Sequence, residues 1–463
     1  MVSSDYDVRS FGARGDGSAN DTKAVQAAID QCSKTGGRVV FPPGEYRTGM
    51  IRLKSHVTVD LLNQAVWRAI PDVSLYPKVV DRLPGTFLFA ENAEDLHITG
   101  QGKIHGSGDA HGAFIPWKEQ TKGPRPFGLL LMRCRNLSLT GVTLESSAYW
   151  MLRPTDCEDV VIRGIKIVNL VNFNNDGIDV VDCHRVIISD CVLDCEDDAI
   201  CLKTYSGKGV EDVAITNCVL SSHARVIKIS GPPVPGSRFN RIAVSNCVIK
   251  PSRAKTTLHP AQLVGGISGI DFATSSQGAA LTNVSVTNVV IDGVLTPIFM
   301  RLSNQKPPSD VGSGSAGPGR LENITISNIR AVNAGPVGCM ISGHPGHYVE
   351  DIKLSNVDLA FSASGKEADV SADVPEKAES TPSPRVFGIN LPAYGFFLRH
   401  VKDLEIDGLR LRPREDEPRP ELLADDVHGL DVTHLSSGHP KREKPWVKVS
   451  NSTRVRMDDI AGG

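Results

Sequence analysis

Acidic residues stand directly before short apolar runs at two places in the middle of this sequence. One run reads NNDGID from Asn174, and the other reads EDDAIC from Glu196. When the two runs are aligned on their isoleucines, Asp176 falls beside Asp198, with Asp197 next to both. Carboxyls held at the strand spacing of about 4.8 Å repel each other, so at least one of them keeps its proton to a higher pH. A protonated acid beside an ionised base is the pair that hydrolysis of a glycosidic bond requires.

A third run, SSHARVIK from Ser221, continues the same phase with basic residues. Aligned on Ile227, it places His223 and Arg225 one step beyond the aspartates. Lys228 falls in the column of Asp179 and Cys201. Guanidinium groups make forked contacts with carboxylates, so Arg225 and Lys228 are candidates to bind an acidic substrate, although basic residues also commonly cover a solvent-facing sheet.

The aspartates have two other interpretations. Asp and Asn side chains often bond to nearby backbone in turns, which would make the runs purely structural. Calcium also prefers oxygen ligands of this kind. Three aspartates followed in phase by His and Arg favour a catalytic cluster over a turn motif, and the adjacent basic residues argue against calcium. We therefore predict no metal ion and no organic cofactor.

These runs belong to a repeat that extends through most of the chain. Its pattern is polar, apolar, any, apolar, polar, Asn/Asp/Gly, apolar, any, apolar. Copies begin at Asp95, Asn136, Asp159, Arg185, Asp212, Arg241, Asn283, Asn323, Asp351 and Asp403. Subtracting the starts from Asn136 to Arg241 gives steps of 23, 26, 27 and 29 residues. A period in the twenties with alternating apolar residues is typical of a β-solenoid whose coils stack. We expect an all-β, right-handed parallel β-helix.

The amino-terminal region fits a cap on this solenoid. An amphipathic stretch from Thr22 to Cys32, ended by Gly36 and Gly37, predicts an α-helix within a cap region of residues 1–50. A solenoid needs such a cover because its first coil would otherwise expose the apolar interior.

We expect residues 1–463 to form a single β-helix domain. Two stretches of low apolar content, 305–320 and 363–385, predict long loops that could line a cleft. The charged stretch 413–445 predicts an irregular segment packed along the solenoid.

Bulk composition narrows the function classes. The 50 Lys and Arg residues nearly balance 53 Asp and Glu residues, for a net charge of −3 that gives no reason to expect nucleic acid. No run of 18 apolar residues is present, so we expect no membrane span. The ten cysteines have no CxxC spacing, and three recur at equivalent repeat positions, which predicts buried structural thiols. We expect a monomer, secreted or periplasmic in its mature form, with a cytoplasmic location as the alternative.

Longer motifs carry a resemblance to a known family. The stretches VRSFGARGDGSANDT and GGRVVFPPGEY resemble the pectin-lyase-like β-helix superfamily, and NNDGID with DDAI resembles glycoside hydrolase family 28, the polygalacturonases and rhamnogalacturonases. The resemblance implies a pectic polysaccharide or oligosaccharide substrate, galacturonan or rhamnogalacturonan in type, and inversion at the anomeric carbon. It further implies that Asp197 is the general acid, that Asp176 and Asp198 activate water, and that His223 orients the acid.

The sequence departs from that family at one motif. Family polygalacturonases bind a substrate carboxylate through Arg-Ile-Lys, whereas the stretch in that phase here reads GIDFAT from Gly269. Arg225, Lys228 or Arg301 could take over this contact. Asn174 and Lys203 are further candidates for binding the sugar.

Two other function classes remain open at this point. A polysaccharide lyase or epimerase could use the same scaffold, with Arg or Lys as the base. A non-catalytic carbohydrate-binding solenoid would bind sugar without turnover.

Overall fold

The computed structural model describes residues 4–80, 83–114, 125–231, 234–253, 266–274, 278–305, 318–377, 379–380, 383–388 and 390–462. The fold is a right-handed parallel β-helix with an amino-terminal α-helix, α1 (Thr22–Thr35), as the repeat and the cap pattern predicted. Short 3-10 helices occur at Val8–Phe11, Val73–Leu75, Glu367–Ser371 and Pro384–Phe387.

Most of the strands in the first half of the chain are short. They are β1 (Asp5–Asp7), β2 (Asp16–Asn20), β3 (Gly37–Phe41), β4 (Gly44–Thr48), β5 (Ile51–Arg52), β6 (Val57–Leu61), β7 (Ala65–Ala69), β8 (Thr86–Glu91), β9 (Glu94–Gly100), β10 (Lys103–His105), β11 (Phe127–Met132), β12 (Arg135–Thr140), β13 (Thr143–Glu145), β14 (Leu152–Thr155), β15 (Glu158–Arg163), β16 (Lys166–Asn169), β17 (Ile178–Val181), β18 (His184–Ser189), β19 (Val192–Cys195), β20 (Ile200–Lys203), β21 (Val210–Thr216), β22 (Val219–Ser222) and β23 (Arg225–Ile229).

Many strands in the second half are longer, because two strands that are separate in the earlier coils are continuous there. They are β24 (Arg238–Pro251), β25 (Gly266–Thr274), β26 (Ala280–Asp292), β27 (Val294–Leu302), β28 (Arg320–Ala334), β29 (Cys339–Ser342), β30 (Val349–Phe361), β31 (Phe396–Arg412), β32 (Leu422–Ser437), β33 (Val447–Ser450) and β34 (Thr453–Gly462).

The chain divides into two compact units, each built from stacked parallel strands. The first unit comprises Met1–Cys201, Val213–Ser222 and Ser252–Gln262, and the second comprises Leu202–Asp212, His223–Pro251 and Leu263–Gly463. In the first unit the strands form three stacks, namely β3-β6-β9-β12-β15-β18, β4-β7-β10-β13-β16-β19-β22 and β5-β8-β11-β14-β17. In the second unit, β24, β26, β28 and β30 form one ladder, while β23, β25, β27 and β29 form another.

Polar residues turn the chain at one corner of every coil. The first residue of each repeat copy identified in the sequence has a left-handed backbone, with φ of 57° at Asp159 and 55° at Asn323. Asn and Asp tolerate this conformation better than other side chains, which explains their recurrence there. At a second corner, Asn288 donates to Asn246 and accepts from Asn328, both at 3.1 Å, so the asparagine side chains form a ladder along the second unit.

The interior of each coil is apolar and in register. Leu137 pairs with Leu96 on one side and Val160 on the other, and all three are buried. All ten cysteines are buried, which agrees with the prediction of buried structural thiols. Helix α1 packs against the first coil with its apolar face, so it covers the end of the stack as expected.

The prediction of an irregular segment at 413–445 is wrong for the central part of that stretch. Residues Leu422–Ser437 form the long strand β32, which pairs in parallel with β31 and β34. The alternation of buried Val427, Leu430 and Val432 continues the repeat, but charged residues on both sides obscured it in the sequence.

The two expected long loops have different outcomes. Of the stretch 305–320, residues 306–317 lie outside the described residues. The described part of 363–385 contains 3-10 turns and packs on the outer face of the second unit, where Val374 lies in a buried cluster with Phe299 and Phe397. No helix among the described residues combines the length and apolar character that a membrane crossing needs.

The asparagine ladder yields a test of the fold. Asn288 has φ of 56°, so Asn288→Ala should strain the left-handed backbone, whereas Asn288→Gly loses the same side-chain hydrogen bonds without that strain. We expect the alanine variant to be less stable than the glycine variant by about 1 kcal/mol in urea unfolding. Equal stability of the two would show that backbone strain at this corner does not shape the coil.

Candidate active site

Backbone hydrogen bonds hold the two acidic turns of the first unit side by side. Gly177 N donates to Asp198 O at 2.9 Å, and Ile178 N donates to Ala199 O at 2.9 Å. The first turn leads into β17 and the second into β20, and these two strands pair, so Asp176 and Asp198 occupy equivalent places in adjacent coils. Asp197 N also donates to Asn175 O, at 3.4 Å.

The three aspartates differ in exposure. Asp176 and Asp198 each expose only 2% of their surface, whereas Asp197 and Asn174 are partly exposed. Asn174 Nδ2 donates to Asp197 Oδ2 at 3.0 Å. Of the three aspartates, Asp197 is therefore the one most open to solvent.

Buried asparagines fix the backbone beneath the aspartates. Asn175 Oδ1 accepts from Asn172 N at 2.6 Å, and its Nδ2 donates to Tyr149 O at 3.0 Å. Asn169 Nδ2 donates to Asp176 O at 2.9 Å. Because these amides bond backbone groups of the same coil and of the preceding one, they fix the turn that carries Asp176.

Arg125 is a basic residue at this site that the sequence reasoning missed. Its Nη1 donates to Phe173 O, and its Nη2 donates to Asn174 Oδ1 at 3.1 Å. The guanidinium lies 4.5 Å from the ring centroid of Tyr149. Burial lowers the pKa of Arg125, and the carboxyls of Asp176, Glu196 and Asp197 are among the groups that oppose this shift. Arg125 precedes β11 in a Pro- and Lys-rich stretch outside the repeat. Alignment of the repeat copies therefore could not indicate that it lies near the aspartates.

Glu196 is a buried acid directly beside the aspartates. Burial, and after it the neighbouring Asp197 carboxyl, raises the pKa of its carboxyl to about 8. Backbone N–H groups of Asn175 and Asn174 and the charge of Arg125 act in the opposite direction. Glu196 therefore holds its proton to a higher pH than an ordinary glutamate does.

The remaining predicted residues belong to the second unit. His223 is buried, with 4% of its surface exposed, and Lys203 at the end of β20 is buried as well. Arg225 and Lys228 on β23 are partly exposed. Their roles at the substrate stay predictions.

Arg301, on β27, is buried and makes contacts within the second unit. Its Nη2 donates to the carbonyl oxygens of Glu376 and Lys377, and its guanidinium lies 4.6 Å from the ring centroid of Phe387. Burial lowers its pKa to about 10. The segment at Glu376 therefore holds this guanidinium, and its predicted contact with a substrate would require that segment to move.

An acid occupies the place where the Arg-Ile-Lys motif was sought. Asp271 is fully buried in β25 and accepts from Ser268 Oγ at 2.6 Å. The described part of β25, Gly266–Thr274, contains no Arg or Lys, so basic recognition at this level must come from another strand or from a loop.

Comparison with known proteins identifies the family. The model for glycosyl hydrolases family 28 matches residues 38–380, and a model described as rhamnogalacturonase A/epimerase, pectate lyase-like, matches residues 6–60. The chain belongs to glycosyl hydrolases family 28. This confirms the resemblance carried by the two aspartate motifs.

Individual relatives align with parts of this family 28 chain. A probable polygalacturonase of Vitis vinifera is 32% identical over 42% of this chain and 43% of its own length. A probable polygalacturonase of Arabidopsis thaliana is 28% identical over 64% of this chain and 60% of its own length. The chain thus spans less than two thirds of these two relatives. The solved family 28 exopolygalacturonase of Yersinia enterocolitica shares the fold, with a TM-score of 0.64, 18% identity and coverage of 98% of this chain and 79% of that one.

The buried acid gives a prediction of pH-dependent stability. Folded Glu196 keeps its proton up to a pH of about 8, whereas an unfolded glutamate loses it near its ordinary pKa of about 4.3. The free energy of unfolding should therefore fall as the pH rises between these values. Between pH 5 and pH 8, the free energy of unfolding of the parent should fall by about 2–4 kcal/mol more than that of Glu196→Gln, measured by urea unfolding.

The exposed carboxylate Glu443 provides the matched control. Glu443→Gln should leave the pH dependence of unfolding as it is in the parent. If Glu196→Gln and the parent lost stability in parallel across this range, Glu196 would not be held neutral in the folded protein.

Proposed function

We propose that this protein is an inverting glycoside hydrolase that cleaves a pectic polysaccharide or oligosaccharide. The observation that carries the proposal is the pair of acidic turns held together by the bond from Gly177 to Asp198, with Asp197 partly exposed above them. Membership of family 28 and relatives named as probable polygalacturonases support a galacturonate-containing substrate.

In this mechanism Asp197 donates a proton to the glycosidic oxygen as the bond to the anomeric carbon breaks. Asp176 and Asp198 orient a water molecule on the opposite face and take its proton as its oxygen bonds to that carbon. Inverting enzymes hold acid and base about 6.5–9.5 Å apart so that the water fits between base and sugar. One carboxyl thus loses a proton and another gains one, and the configuration at the anomeric carbon is reversed.

The basic residues of the second unit would recognise the substrate. Arg225 and Lys228 are partly exposed and can pair with uronate carboxylates. His223 follows Ser222, whose Oγ donates to Asp197 O at 2.6 Å, and we assign His223 to orienting the acid. Asn174 and Lys203 would bind sugar hydroxyls.

We further propose that the protein acts as a secreted or periplasmic monomer, without a nucleic acid or membrane partner. Its polymeric substrate lies outside cells, and the near-balanced charge supports the absence of a polyanionic partner. Light scattering of the purified protein tests the monomer, and fractionation of the producing cells tests the location.

The activity is tested by incubating the protein with homogalacturonan, rhamnogalacturonan and their oligosaccharides. We expect new reducing ends, and Asp197→Asn should lower kcat by about 100-fold or more because the acid is lost. Asp60→Asn, which alters a carboxyl on β6 away from the acidic turns, is the control and should keep full activity.

The products separate this proposal from its rivals. Proton NMR of the first product should show the β anomer from an α-linked substrate, and product lengths distinguish endo from exo action. An α anomer would contradict inversion. An unsaturated, ultraviolet-absorbing product would indicate a lyase, and binding without turnover by parent and variant alike would indicate a carbohydrate-binding solenoid.

A further inference from the structure

Arg125 determines which way the amide of Asn174 points. A guanidinium can only donate hydrogen bonds, so the Asn174 atom that faces Arg125 Nη2 at 3.1 Å must be the oxygen. The amide nitrogen then faces Asp197 Oδ2 at 3.0 Å and donates to it. A flipped amide would place N–H hydrogens against the guanidinium and an oxygen against the carboxylate, which are two repulsive contacts.

Arg125 is itself held firmly in this orientation. It exposes only 7% of its surface, its second nitrogen donates to Phe173 O, and its flat face lies over the ring of Tyr149. The planar fork of an arginine can bond both oxygens at once, which the single ammonium of a lysine cannot do in the same geometry.

We propose that Arg125 is a positioning residue for the reaction, acting through Asn174 to orient the carboxyl of Asp197. This inference rests on the proposed function, because it takes Asp197 to be the proton donor. Nothing in the repeat or in the aspartate motifs assigns a role to Arg125.

The arrangement also selects the oxygen that carries the catalytic proton. Asp197 Oδ2 accepts the Asn174 N–H, and in a protonated carboxyl the carbonyl oxygen is a stronger acceptor than the hydroxyl oxygen. The proton therefore sits on Oδ1, and the carboxyl presents Oδ1 to the glycosidic oxygen. We call this chain of contacts, from Arg125 through Asn174 to Asp197, the relay. When the relay is lost, the Asn174 amide can rotate and the Asp197 carboxyl can turn away from the leaving group.

The kinetic test compares Arg125→Gln and Arg125→Lys with the parent on oligogalacturonate. Both variants should lower kcat by about 10- to 100-fold, since small displacements of a reacting group cost this much, while KM stays within about twofold. Lysine keeps the charge without the fork, so full activity of Arg125→Lys would overturn the role of the fork.

A leaving group that needs no proton gives a sharper readout. With α-galacturonosyl fluoride, departure of fluoride depends little on the acid, so the Arg125 variants should lose less than about threefold in kcat. Equal losses on the fluoride and on oligogalacturonate would show that Arg125 does not act through the acid.

A double variant tests the relay itself. If Arg125 acts through Asn174, adding Arg125→Gln to Asn174→Ala should lower kcat no further than Asn174→Ala alone does. Independent, multiplying losses would overturn the relay.

Arg419 provides the matched structural control. It is fully buried in the second unit, donates to Pro336 O at 2.8 Å and Leu391 O at 2.9 Å, and, within the described part of the chain, makes no hydrogen bond with Asn174 or Asp197. Arg419→Lys should lower Tm and leave kcat within about twofold of the parent. A similar loss of kcat in this variant would mean that any buried arginine produces the effect.

A crystal structure of Arg125→Lys decides the inference without any activity. We expect Asn174 Nδ2 to move out of hydrogen-bonding distance of Asp197 Oδ2. An unchanged contact near 3.0 Å would overturn the relay. If the parent hydrolyses neither substrate, the proposed function fails, and this structure still tests the positioning of Asp197.

Discussion

The backbone bonds from Gly177 and Ile178 to the next coil are the constraint on which the site depends. A parallel ladder repeats every residue position about 4.8 Å further along, so any acidic turn that recurs in phase must face its copy. Such repulsion destabilises a sheet unless a counter-charge or a retained proton relieves it. Here the Arg125 guanidinium lies beside Asn174 of the acidic turns, and burial raises the pKa of Glu196 so that its carboxyl keeps a proton to a higher pH.

The parts of the fold that the sequence predicts are those that the repeat dictates. A left-handed corner favours Asn or Asp, and a one-sided interior requires alternating apolar residues, so both leave a visible pattern. Asp159 and Asn323 show the first, and Leu137 with Val160 shows the second. The same phase predicts that Asp176 and Asp198 lie side by side, because register in a solenoid is fixed by the repeat.

Features outside the repeat left no such pattern. Arg125 lies two residues before β11, and its contact with Asn174 spans 49 positions of the chain, so the local sequence gives no sign of it. The burial of Arg301 depends on residues near Glu376, which are 75 positions away in the chain. Strand β32 differs from these cases because it does belong to the repeat. Its apolar alternation is present in the sequence, but the charged stretches on both sides of it hide the pattern.

The most direct measurement is a crystal structure of Asp197→Asn with a bound oligogalacturonate that spans the cleaved bond. We expect the glycosidic oxygen within hydrogen-bonding distance of the residue at 197, about 3 Å. A water should lie on the opposite face of the sugar, in contact with Asp176 and Asp198. An oligosaccharide bound elsewhere, or with its glycosidic oxygen out of reach of residue 197, would contradict the account.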